Sequence, residues 1–467
     1  MPRRKKPIEP LAEMDDVRLG DRRLEERARS LMYLLEQAPG QSLPQATQTP
    51  AALEGAYRFL RNERVTLAKL LAPHMAATAA RARASTSTVV VAHDTTEFRF
   101  EGDSERRGLG EVGQRGQGFF GHVALAITEE RQALGVLGLS VVVRPKHRAT
   151  HRERTDYHHR SAGHEGTRWR ALIEEVQARA GDALPIHVMD READEFEMLA
   201  DMVEMGCRFV VRMSASRRRR ITRVDGVDAG RQLVPDAANA LRGVITRDVV
   251  LSGRGGKRTS GPHRPRDRRS ARLQFAAGAV EVLSPRNKRG GRTTLTLSLV
   301  LVRETDPPDG EDPVEWLLYS NEPIVTPADV LAIVDAYRAR WVIEEYFKAL
   351  KTGCAVEKRQ LESLRALVNC LGMFVPIAAK MLALRSCARL TPNAPASSVL
   401  SPVELRALRI VARTPVPAHP TAHDALYAIA ALGGHLRNNG HPGWLVLARG
   451  FDTLQIAVRV LENERRM

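Results

Sequence analysis

Apolar residues recur at helical spacing along the first 65 positions. Leu24, Ala28, Leu31 and Leu35 step by four, three and four, which is one helix face, while Arg22, Arg23, Arg27 and Arg29 fall mostly off it. A second helix is predicted to open at Thr49 as N-cap with Pro50 in its first turn, its face being Leu53, Ala56, Tyr57 and Leu60. From residue 85 the pattern changes to short apolar runs. STSTVVVA (85–92) reads as a buried strand ending at His93 and Asp94, 119–127 and 134–143 as two more, and 168–180 as a helix. PIHVM (185–189) is another buried strand ending at Asp190, and FVVRM (209–213) follows. Segments 271–283 and 293–302 alternate like strands, and from residue 327 the chain reads as helical. This order predicts an α/β protein with a β-rich insertion at about 214–310. The divisions expected are 1–70, 71–385 and 386–467, the first and last helical. The most apolar window, 367–384, contains Asn369, Pro376 and Lys380 and falls short of the roughly 20 clean residues of a membrane span. A pair of buried helices is predicted there, and no membrane association.

Composition adds a partner class. Among 467 residues 43% are hydrophobic but only 5% aromatic, so the core rests on Leu, Val and Ala. A net charge of +16 favours a polyanion, nucleic acid first and an anionic membrane surface second. The four cysteines form no CxxC pair, which argues against a zinc site or a disulfide framework. The basic N-terminus has no apolar segment behind it, so it does not read as a signal peptide. A reducing cytoplasm is the expected location. Residues 217–220 are four arginines, and 251–272 hold eight basic residues against one acidic, a pattern open to a solvated loop or a DNA-backbone contact. The histidines within 147–164 have no tetrahedral spacing and are flanked by arginines that repel a cation, so no metal site is expected there.

Three carboxylates stand out. Asp94 and Asp190 each follow an apolar strand, where ligand sites of α/β proteins gather. Taken singly, either is better explained as a turn former or an N-cap. The segment 337–351 is predicted to be one helix whose face carries Tyr337, Arg340, Glu344, Lys348 and Lys351. A salt-bridged surface helix, with Glu344 paired to Lys348, would have the same pattern.

The spacing Y-x2-R-x3-E-x6-K at Tyr337, Arg340, Glu344 and Lys351 resembles the signature of the bacterial cut-and-paste insertion-sequence transposases that use a hairpin intermediate. Further blocks carry the likeness in the same order. LGDRRLEERA at Leu19 and EGAYRFLRN at Glu54 are similar to that family's N-terminal DNA-binding domain. AHDTTEF and VMDREADEF are similar to its two aspartate motifs, and RFVVRM and EWLLYSNEP to its intervening blocks. The basic loop 251–272 matches no such block, and the tail beyond 390 is generic.

The resemblance implies a ribonuclease-H-like catalytic core with a β-rich insertion, flanked by a helical N-terminal domain that reads transposon ends and a helical C-terminal region used in homodimerisation. In that reading Asp94, Asp190 and Glu344 converge to hold two Mg²⁺ ions, Mn²⁺ being possible, since hard carboxylate oxygens suit these cations. Asp94 bridges both ions, Asp190 holds one and Glu344 the other. Arg340, Lys348, Lys351 and Arg212 contact DNA phosphates, Tyr337 hydrogen-bonds one, and Trp316 stacks on a flipped base, a core tryptophan being its bland alternative. Arg22, Arg23, Arg27, Arg58 and Arg61 contact the ends. Two other functions are weighed. A catalytically inactive DNA-binding inhibitor of transposition predicts loss of a carboxylate or of the N-terminal module, and both are present. A small-molecule phosphohydrolase would read HDTTEF as a DxDx[TV] motif, but Thr96 occupies its second acidic position.

Overall fold

The computed structural model describes residues 7–102, 105–113, 116–144, 165–214, 217–251, 253, 266–285 and 293–464. The histidine run 147–164 and most of the basic loop 251–272 lie outside the described residues. Two compact units emerge, one of residues 1–164, 171–185 and 341–467, the other of 165–170 and 186–340.

The first unit opens with five helices: α1 (Pro10–Glu13), α2 (Arg22–Glu36), α3 (Leu43–Thr47), α4 (Pro50–Arg61) and α5 (Leu67–Arg83). Asp21 caps α2 by accepting from the Arg23 N–H at 2.9 Å, and Thr49 caps α4 through the Ala52 N–H at 3.2 Å. Most of the expected face of α2 is realised: Ala28, Leu31 and Leu35 are buried, joined by Met32, while Leu24 is half-buried. On α4 the buried residues are Ala56, Phe59 and Leu60, so the face is rotated toward Phe59 relative to the expected one. Four antiparallel strands follow: β1 (Val89–Phe100), β2 (Gly110–Val112), β3 (Gly116–Thr128) and β4 (Ala133–Val142). β3 lies between β1 on one side and β2 and β4 on the other. Val89 and Val91 of β1 and Ala124 and Ala126 of β3 alternate onto one face. There they pack against Ala79 and Ala82 of α5 and against Leu172, Val176 and Ala180 of α6 (Glu165–Ala180).

The first strand does not end at Asp94. β1 stays paired to β3 through Phe100, with Asp94 opposite Val123. What ends at His93 is full burial: residues 89–93 are buried and 94–97 half-buried. The apolar run marked the buried half of the strand, and partnership with β3 decided its length.

The second unit holds β5 (Ile186–Met189), α7 (Phe196–Glu204), β6 (Arg208–Arg212), β7 (Ile221–Val224), β8 (Val227–Asp228), α8 (Val234–Ala240), β9 (Gly243–Leu251), β10 (Arg269–Leu283), β11 (Thr294–Glu304), β12 (Glu315–Ser320) and α9 (Pro327–Ala339). β5 and β6 are parallel. The order then runs β6, β12, β11, β10, β7, β8 with antiparallel pairing, and β9 also on β10. Helix α9 packs on β5, β6 and β10. Its Thr326–Asp329 capping box fixes where it starts.

The rest of the first unit is helical: α10 (Val342–Lys348), α11 (Leu364–Leu390), α12 (Pro402–Val411), α13 (Ala422–Leu432) and α14 (Trp444–Glu464). A helix pair was expected over 367–384, but α11 runs unbroken through Pro376. Nearly all of it is enclosed by protein, and α2, α4, α5, α13 and β4 pack around it. This packing outweighs the backbone bond that a proline removes. Helix α11 is long and apolar enough to cross a membrane, yet 94% of its most apolar window is buried inside this unit. Asn369 on α11 donates to the carbonyls of Leu60 and Val65, both at 3.0 Å, and so ties the α4–α5 connection to the core.

Candidate active site

Asp94 sits where β1 changes from buried to half-buried, and its Oδ1 accepts the Thr95 N–H at 2.8 Å. Below it His93 is fully buried and stacks on His122 of β3, ring centroids 5.7 Å apart. Glu344 lies in the first turn of α10, which packs against β1. The structure thus brings Asp94 and Glu344 onto two elements in direct contact within the first unit.

The single helix expected over 337–351 is broken. Helix α9 ends at Ala339 with Arg340 as its cap, Trp341 stands 62% exposed in the turn, and α10 begins at Val342. The N–H of Arg340 reaches the Tyr337 carbonyl at 3.1 Å and that of Glu344 the Trp341 carbonyl at 3.2 Å, three residues back rather than four. After Lys348 the chain widens into a π-helical turn, Ala349–Gly353, which carries Lys351. The five residues therefore do not form one helical face. Tyr337 and Arg340 belong to the second unit, and Glu344, Lys348 and Lys351 to the first.

The alternative of a Glu344–Lys348 pair is not what forms. The Lys348 ammonium bonds Glu345 at 2.8 Å, while the half-buried Glu344 carboxylate makes no hydrogen bond or ion pair among the described residues. Lys351 donates to the carbonyl of Glu97 on β1, lies 3.7 Å from the Glu357 carboxylate and sits over the Phe98 ring. It is thus held three residues along the strand from Asp94.

In the second unit Asp190 follows β5, and its Oδ1 accepts the Glu192 N–H at 2.9 Å, capping the short turn Arg191–Ala193. That is the N-cap role its sequence context allows, and it leaves the second oxygen for other use. Behind it Asp194, fully buried, is paired with Arg219 at 2.6 Å and accepts the Ser214 N–H at 2.7 Å. Arg212 ends β6 opposite Leu318, half-buried. Trp316 on β12 meets the buried Tyr337 edge to face at 5.5 Å, and the Arg340 guanidinium lies 6.0 Å from the same ring. Tyr337, Arg340 and Trp316 therefore form one cluster.

Of the N-terminal arginines, Arg22 pairs with Glu26, Arg58 with Glu54 and Arg61 with Glu362, all at the surface. Arg23 is exposed, and the exposed Arg27 lays its guanidinium over Gly55 of α4, where a Cβ would come within 2.7 Å of it. Sequence reasoning did not single out Asp194 and Glu345, which lie close in sequence to Asp190 and Glu344, or Arg219, which pairs with Asp194. Asp194 was visible inside the VMDREADEF block, but Arg219 was hidden in an arginine run that reads as surface charge.

Carboxylate oxygens at Asp94, Asp190 and Glu344 match the donor preference of Mg²⁺ or Mn²⁺. Among the described residues no three His, Cys, Asp or Glu side chains gather closely enough to hold one ion by themselves. Mg²⁺ does not require such a cage, because it keeps several waters and takes one or two carboxylates together with substrate phosphates. The half-buried Glu344, with no cation paired to its carboxylate among the described residues, fits that role.

The sequence matches the family described as transposase DNA-binding over residues 11–65, and the family described as transposase DDE domain over residues 86–374. Among solved structures a piggyBac transposase synaptic complex with hairpin DNA is similar at 8% identity and a TM-score of 0.31, over 67% of this chain and 50% of that one. This chain thus spans half the length of that structure's chain, and a likeness so slight bears on neither fold nor chemistry. The DDE match takes in all three carboxylates and covers more than half of the molecule, and on that ground the chain belongs to the family of DDE-domain transposases.

Proposed function

We propose that this protein is a DNA transposase that binds transposon ends and cuts and rejoins DNA by divalent-metal chemistry at Asp94, Asp190 and Glu344. The observation that carries the reading is the packing of Glu344's helix on the strand of Asp94, within a segment that matches the DDE domain. When bound, two Mg²⁺ or Mn²⁺ ions would offset charge at phosphorus and activate the attacking oxygen. Asp94, Asp190 and Glu344 would hold them. Arg340, Arg212, Lys348 and Lys351 would bind phosphates beside the scissile bond, Lys351 through ammonium protons not used on the Glu97 carbonyl. Tyr337 would donate to a phosphate and Trp316 would stack on a flipped base.

Each step is the same in-line transfer. Water attacks first and breaks one P–O bond, freeing a 3′-OH. That hydroxyl attacks the opposite strand to close a hairpin, the hairpin is reopened by water, and the 3′-OH finally attacks target DNA. Membership of the hairpin-forming group with the Tyr337–Arg340–Glu344–Lys351 signature, and a ribonuclease-H-like core, belong to this proposal. So do end binding by residues 1–70, catalysis by 71–385 with the insertion at 214–310, and homodimerisation through 386–467.

The test is Glu344→Gln, which keeps shape but loses the charge that holds a cation. Strand nicking in Mg²⁺ is expected to fall by orders of magnitude while a gel shift on the same end DNA is unchanged. An exposed ion pair contributes only about 0.3–0.5 kcal/mol, so a surface role for Glu344 would leave nicking near normal, and that result sinks the proposal.

A further inference from the structure

Helix α10 has seven residues, too few to hold its own geometry, so the direction of Glu344 must be set by contacts made elsewhere. Successive side chains on a helix point about 100° apart, so whatever fixes Glu345 fixes the azimuth of Glu344. Glu345 is held from three sides. Its Oε1 accepts from Lys348 at 2.8 Å, and its Oε2 accepts the indole N–H of Trp444 at 3.3 Å and pairs with Arg385 at 3.0 Å. Arg385 on α11 is nearly buried and lies 4.5 Å over the Trp444 ring, which closes a triangle between α10, α11 and the first residue of α14.

The helix that Trp444 opens also packs on the other end of the same segment. Gly353 closes the π-helical turn that carries Lys351, and a Cβ there would come 3.2 Å from the Met381 methyl and 3.8 Å from the Trp444 ring. Helix α14 therefore packs on the π-helical turn that carries Lys351, and its first residue bonds Glu345 beside Glu344.

We infer that Glu345, Arg385 and Trp444 are positioning residues that set the metal-binding direction of Glu344, making the start of α14 a working part of the active site. The inference rests on the reading of Glu344 as a metal ligand. Groups behind a ligand act by aiming it, and their loss typically weakens metal affinity by about 10–100-fold.

The experiment measures Mn²⁺ binding to the full-length protein by calorimetry, with the Mg²⁺ midpoint of nicking and the melting temperature taken alongside. Glu345→Gln is expected to weaken Mn²⁺ binding about tenfold and to raise the Mg²⁺ midpoint, with end binding unchanged. Trp444→Phe, which keeps the ring under Arg385 but removes the indole N–H, is expected to shift both in the same direction by less. A purely structural role would lower the melting temperature without moving either metal midpoint, and that outcome overturns the inference. If Glu345→Gln does not fold, Trp444→Phe decides alone, since it leaves the Glu345–Arg385 pair in place. Glu344→Gln is the control. Should that variant bind Mn²⁺ as tightly as the parent, the metal reading of Glu344 fails; should it bind weakly while both positioning variants bind normally, only the present inference fails.

Discussion

Arg219 stands in a run of four arginines, yet its guanidinium is buried against Asp194, whose carboxylate is wholly removed from water. Its neighbour Arg217 pairs with Glu195 at 3.4 Å near the surface. The two pairs differ in what a deletion leaves behind. Removing Arg219 strands an ionised carboxylate where it cannot be solvated, which costs about 3–5 kcal/mol, whereas an exposed pair is worth about 0–1 kcal/mol. Urea denaturation is therefore expected to show a large loss for Arg219→Met and almost none for Arg217→Ala. Equal effects would mean that Asp194 finds water or another cation. Because Asp194 lies four residues beyond Asp190, in the same loop, the Arg219 variant is also expected to lose nicking before it loses end binding.

Elements owe their limits to partners as much as to composition. The stretch 337–351 has no proline or glycine, so composition predicts one helix, but Arg340 and Trp341 interrupt it. Asn369 shows the opposite effect, a polar residue within the apolar window 367–384 that stabilises its helix's surroundings. It is 2% exposed, and its amide serves two carbonyls of the α4–α5 connection. Leaving a buried carbonyl without a donor costs about 1–3 kcal/mol. In Asn369→Ala, hydrogen exchange is expected to accelerate across residues 60–70 well before global unfolding. Uniform exchange over all of α11 would instead indicate that Asn369 supports the core helix as a whole.

At the scale of the molecule, helices far apart in sequence share charges. Lys380 of α11 is buried between Glu36 of α2 and Glu404 of α12, at 2.8 and 2.7 Å. Burial pushes both carboxyls up; for Glu36 this dominates and leaves it raised, while for Glu404 the Lys380 ammonium outweighs it and leaves it lowered. The signs are opposite. A lowered carboxyl stabilises above its unfolded value of about 4.3 and loses that contribution as pH falls through the folded value. A raised one loses stability as pH climbs through its folded value. Glu404→Gln is accordingly expected to be less stable than the parent at neutral pH, the gap closing in acid, and Glu36→Gln to cost less at neutral pH. Urea midpoints across the acid range check both, and a gap for Glu404→Gln that persists unchanged in acid would refute the assignment. This same interlocking makes deletion of residues 1–70 a poor test of end binding, since it would uncover α11. Substitution is cleaner. Replacing Arg23 and Arg27 by Ala is expected to weaken end binding and reduce the slope of log affinity against log salt by about 2. An unchanged slope would remove these two arginines from the DNA interface.

Local physics made much of this protein readable in one dimension. The spacing of Ala28, Leu31 and Leu35, the Thr49 cap with Pro50 behind it, and the alternation in β10 and β11 each depend on neighbours a few residues away. Short motif blocks placed the chain among transposases for the same reason, since each is a contiguous string. Other features depend on groups far off in the chain. The continuation of β1 past Asp94 follows from pairing with β3. The unbroken course of α11 through Pro376 follows from its enclosure, and the burial of Arg219 from Asp194. Glu345 looks like any surface glutamate until Arg385 and Trp444, 40 and 99 residues further on, fold against it. Periodicity and capping act over a few residues and leave their mark in the sequence, whereas burial and ion pairing are decided by which distant atoms exclude water, and only the tertiary structure supplies those.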